Sequence, residues 1–128
     1  MNRNEEALSA ARALREQLGD ITGVDVMHNC VLVAIYQRPE KTRGGIILAE
    51  VTRDEDAYQS KVGLVIKTGP LAFKEDARTD FGGKSIAEGD WVLFRVSDSW
   101  SVSINKVPCR MLDDVKVRAI VPDPTLIW

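Results

Sequence analysis

Residues 21–121 predict an all-β domain, a small barrel to which an N-terminal α-helix and an extended C-terminal tail are added. Two observations carry that class. Short, β-prone apolar runs recur at near-regular spacing, separated by Gly, Pro, Asn and Asp turns. Only one stretch, residues 4–18, has the three-to-four spacing of an amphipathic helix.

Three segments follow: a helical extension over 1–20, a barrel domain over 21–121 containing a loop at 37–48, and a tail over 122–128. In the first, Asn4 is placed to cap the helix, Glu5 and Glu6 suit its positive end, and Gly19 stops it. Leu8, Ala11, Leu14 and Leu18 form one narrow apolar stripe. So narrow a stripe packs on a surface without being engulfed, and both its own domain and a neighbouring subunit remain open as that surface.

The period then changes to two. Val31, Val33 and Ile35 alternate with Leu32, Ala34 and Tyr36, apolar on both faces, until Pro39 ends the run. Residues 61–68 form the next strand, broken by Gly69-Pro70. Residues 71–88 carry no clean period and read as an exposed hairpin or irregular excursion. Gly89-Asp90 turns the chain into a strand over 91–96, Ser97-Asp98-Ser99 turns it again, and 100–104 is expected to pair back on that strand as a hairpin. Strands over 107–112 and 115–121 follow, with Asp113-Asp114 between them. Two prolines in 122–128 predict an extended tail, and its terminal Leu126, Ile127 and Trp128 require a surface to dock on.

Charge and composition exclude several function classes. The 128 residues are 45% hydrophobic and 28% charged with a net charge of −2, which offers no concentrated basic surface for nucleic acid. No apolar run approaches the roughly 18 residues of a membrane span, and residues 1–20 hold acidic side chains where a signal peptide has a basic end, so the expectation is a cytoplasmic protein. Cys30 and Cys109 are too few for a secreted disulfide scaffold and sit in apolar sequence as reduced core thiols. On neighbouring strands they could bridge under oxidation; spacing does not decide it.

Nor do the residues converge on catalysis. His28 is the only histidine, no Cys-x-x-Cys occurs, and the acidic run at residues 54–56 lacks the spacing and glycine of a calcium loop. Asp113 and Asp114 are neighbours on a turn and face apart. The expectation is no catalytic residue, no metal, no cofactor and no enzyme.

What remains is Lys41-Thr42-Arg43-Gly44-Gly45-Ile46-Ile47-Leu48, an apolar triplet behind a glycine pair. Consecutive glycines weaken any regular element through them, so the triplet either begins a buried strand or is displayed to a partner. Gly44-Gly45-Ile46-Ile47-Leu48, following the strand at 31–36, resembles the mobile loop of the GroES co-chaperonin (chaperonin-10) family. Asn29-Cys30-Val31-Leu32-Val33 is similar to that family's opening strand. Gly63-Leu64-Val65-Ile66-Lys67-Thr68-Gly69-Pro70, Gly89-Asp90-Trp91-Val92-Leu93-Phe94 and Asp113-Asp114-Val115 through Ala119-Ile120-Val121 then follow in the family's order. Helix, residues 71–88 and tail depart from its pattern.

The resemblance implies a GroES-like fold and a homo-oligomeric ring, heptameric in the bacterial family, that caps a GroEL-like chaperonin. Ile46, Ile47 and Leu48 would bind the partner, Gly44 and Gly45 would hinge the loop, and Leu8, Ala11, Leu14, Leu18, Leu126, Ile127 and Trp128 are candidates for assembly contacts. An alternative is a phage virion structural protein on the same barrel, a capsid decoration or neck component with capsid or neck proteins as partners.

Overall fold

The computed structural model describes residues 3–37, 61–75 and 81–126. Among the described residues one helix, α1 (Arg3–Leu18), precedes six strands: β1 (Cys30–Ile35), β2 (Val62–Thr68), β3 (Trp91–Phe94), β4 (Trp100–Ile104), β5 (Val107–Asp113) and β6 (Val117–Val121). They form one antiparallel sheet in the order β4-β5-β1-β2-β3-β6. The all-β class with an added helix is therefore the one the chain adopts.

Both faces of the sheet are covered, which is why β1 is apolar at successive positions. Leu32, Ala34 and Tyr36 join Leu64, Ile66, Trp91 and Cys109 beneath α1, while Val31, Val33 and Ile35 join Val65, Val92, Phe94 and Leu112 on the opposite side. Complete burial of a Val, Leu or Ile contributes about 1.5–3 kcal/mol, so these two layers dominate the stability of the domain.

Gly19 adopts φ 68° and its N–H donates to the Arg15 carbonyl at 3.1 Å, ending α1 as expected. Asn4 is not the cap: the helix already includes Arg3. The buried face also differs by one residue, because Ala7 lies in the core with Leu14 and Leu18 while Leu8 is 62% exposed. Ala7 is buried, Ala10 and Ala11 pack against the same core, and the apolar face centres on these small side chains.

The strand at 100–104 does not pair back on 91–94. Both edges of β3 are taken, by β2 and β6, and β4 pairs with β5 instead. Val96–Asp98 forms a 3-10 turn, held by Arg95 donating to both carboxylate oxygens of Asp98 at 3.0 and 3.1 Å, and this redirects the chain away from β3. Asn105 (φ 49°) and Lys106 (φ 67°) then supply the two left-handed positions of a tight hairpin between Ile104 and Val107. A second 3-10 turn, Asp114–Lys116, delays β6 until Val117.

No strand occurs among the described residues of 71–90; residues 76–80 lie outside them. The tail is not extended throughout, because Pro124–Leu126 makes a 3-10 turn that packs against α1. Asp123 starts that turn by accepting from the Thr125 N–H at 2.9 Å and from its hydroxyl at 2.6 Å. Proline is tolerated in such a first turn because its missing N–H has no partner there.

Candidate functional site

The segment that carries Gly44, Gly45, Ile46, Ile47 and Leu48 lies outside the described residues, but the framework on which it begins and ends is defined. The chain leaves β1 at Ile35, which sits opposite Gly63 of β2, and the Tyr36 N–H donates to the Val62 carbonyl at 3.0 Å. The returning Lys61 accepts from the Phe94 N–H at 2.9 Å, so the second stem is tied to β3. Thus the described residues that flank 38–60 lie next to the ends of two adjacent antiparallel strands, β1 and β2.

Close packing makes that base firm. A Cβ at Gly63 would meet the Val33 side chain at 2.8 Å, so only glycine lets β1 and β2 approach there. Tyr36 stacks edge-on against Trp91, ring centroids 5.6 Å apart at 85°, placing a buried aromatic pair next to the stem.

The opposite end of the sheet is organised by a carboxylate. Asp114, 4% exposed, accepts from the Asn29 side-chain amide at 3.0 Å and the Phe73 N–H at 2.9 Å, and its own N–H donates to the Asn29 carbonyl at 3.0 Å. His28 and Phe73, at φ 55° and 59°, are held left-handed within these two loops. Gly69 passes so near that a Cβ there would lie 2.3 Å from the His28 carbonyl oxygen. The sequence offers no sign of this role for Asp114, since its partners come from loops remote in the chain.

The other predicted residues separate. Leu14 and Leu18 are buried in this subunit and Ala11 is partly so, leaving Leu8 outermost in the stripe. Leu126 ends the tail turn that packs on α1, and Ile127 and Trp128 lie outside the described residues. Cys30 and Cys109 are free thiols. They occupy adjacent strands but not adjacent places: Cys30 faces Asp113 and Cys109 faces Ala34. Four residues of strand put their Cα atoms on the order of 13 Å apart, beyond the roughly 7 Å limit for a disulfide. Burial pushes the Cys109 thiol up to about 11, and burial followed by the charges of Asp113 and Asp114 raises Cys30. Among the described residues no three His, Cys, Asp or Glu side chains gather as a metal site, and no helix is long and apolar enough to cross a membrane.

With this sheet and its paired stems in view, the family model of the chaperonin 10 Kd subunit matches residues 23–121. The chain belongs to the chaperonin-10 family. The co-chaperonin GroES of Rhodobacter capsulatus is 26% identical over 95 residues, covering 74% of this chain and 94% of that protein. That of Dinoroseobacter shibae is 28% identical over 97 residues, covering 76% and 88% respectively. Within this chaperonin-10 chain the match starts beyond α1 and stops at Val121, so the helix and the tail turn that touch one another both lie outside it.

Proposed function

We propose that this chain is a co-chaperonin: a ring-forming, non-catalytic lid that binds a GroEL-like chaperonin through Ile46, Ile47 and Leu48 and hinges at Gly44 and Gly45. The observation that carries the reading is family membership across 23–121, with a Gly-Gly-Ile-Ile-Leu string between two strands whose ends are tied together. Chaperonin binding itself is inferred from the relatives' name, co-chaperonin GroES.

The energetics favour many weak grips. Burying Ile46, Ile47 and Leu48 supplies roughly 5–9 kcal/mol gross, while ordering a loop costs about 1–2 kcal/mol per residue fixed. One loop alone binds weakly. A ring, heptameric as in the bacterial family, presents the remaining loops at high effective concentration after the first has docked. Such a lid releases when the chaperonin changes shape, and ATP hydrolysis belongs to the chaperonin, so no cofactor or metal is required of this chain. Its place of action is the cytoplasm.

The decisive experiment substitutes Ile47→Asp and measures ATP-dependent association with a GroEL-type ring. Lost capping with an unchanged oligomer supports the reading; normal capping refutes it. A virion structural protein is the second reading, favoured by α1 and the tail lying outside the family match. It requires that removal of residues 1–19 or 122–128 destroy assembly and that the purified protein ignore chaperonins.

A further inference from the structure

Beside the second loop stem lies a groove of about 510 Å³. Leu93, Phe94 and Val96 supply its apolar lining, and Lys61, Arg95 and Arg118 line it with positive charge. Asp98 grips Arg95 in a two-point contact and also feels Lys116 and Arg118, so three cations surround one carboxylate in a chain whose net charge is −2. Such a surface is complementary to an acidic segment with some apolar character, and charge arranged this way acts chiefly on encounter rate.

Position selects the partner. Lys61 directly follows residues 38–60 and its carbonyl is bonded to Phe94, so the groove and the root of the loop share one structural unit. A protein that grips Ile46–Leu48 holds the chain thirteen positions before Lys61. We infer that the groove is a second docking point for the chaperonin, accepting an acidic, partly apolar segment of it. This inference rests on the co-chaperonin reading above.

The test follows association of the full-length protein with an ATP-loaded GroEL-type ring by stopped flow, from about 0.05 M to about 0.5 M salt, a range in which exposed charges become screened. Lys61→Glu/Arg118→Glu is compared with Lys74→Glu/Lys84→Glu, which makes the same change in net charge at exposed sites beyond the other end of β2. The expected result is an on-rate about tenfold lower at low salt for the groove variant, with little remaining salt dependence, and a near-normal rate for the control. Equal rates and salt slopes in the two variants overturn the inference. Ile47→Asp separates the two ideas: if it abolishes binding while the groove variant matches the control, the lid reading stands and the groove is not a contact. If Ile47→Asp binds normally, the lid reading fails and the groove inference with it. Should the double glutamate variant unfold, Lys61→Gln/Arg118→Gln carries the same comparison, with a several-fold loss expected and no loss overturning the inference.

Discussion

Asp114 and Phe73 are joined by a 2.9 Å hydrogen bond from the Phe73 N–H to the carboxylate, across 41 positions of sequence. The same carboxylate holds Asn29 at 3.0 Å, so one side chain ties the turn before β1 and the excursion after β2 to the turn between β5 and β6. Asp114→Ala removes both acceptors and leaves part-buried donors unsatisfied, a loss of about 2–4 kcal/mol. Asp114→Asn keeps one acceptor and loses less. Urea unfolding of both variants measures the difference, and equal midpoints for wild type and Asp114→Ala would refute the assignment.

Gly69→Ala tests a close approach and not a left-handed conformation. The added methyl group meets the carbonyls of His28 and Met27 at 2.3 and 2.6 Å, so the loops must separate. A cost of about 2–3 kcal/mol is expected, as for other overpacked sites. Gly23→Ala has open space at the same test and stays within about 0.5 kcal/mol. Thermal unfolding of the pair gives the answer directly.

The helix provides its own internal comparison. Leu18 is 1% exposed and Leu8 is 62% exposed. Leu18→Ala should destabilise by about 2–5 kcal/mol through the cavity it leaves, while Leu8→Ala changes subunit stability by less than about 0.5 kcal/mol. An effect of Leu8→Ala confined to sedimentation or chaperonin binding would assign the outer edge of the stripe to assembly.

Cys109 makes stability fall in alkali. Its folded thiol ionises at about 11 against an ordinary 9.0, so between those values the unfolded chain has released a proton that the folded chain retains. The stabilisation is complete below pH 9 and is lost as pH rises toward 11. Cys109→Ala should flatten that slope in denaturant titrations. Mild oxidation, read on a non-reducing gel or by mass, should produce no Cys30–Cys109 crosslink, because the register of β1 and β5 keeps the two apart.

Periodicity and turn chemistry alone revealed the one helix, most strand positions, the glycine stop at Gly19 and the β-rich class, because each depends on neighbours within a few residues. The Gly-Gly-Ile-Ile-Leu string was equally visible. Long-range competition decided the rest. Residues 100–104 have strand character wherever they pair, but only the folded sheet shows that β2 and β6 have already occupied β3 and that β5 is the available partner. Ala7 lies in the core and Leu8 outside it, a choice of helix face that packing across elements makes and that local spacing does not encode. Asp114 stood out in sequence only as half of an acidic pair; burial among three turns gave it partners that no local pattern encodes.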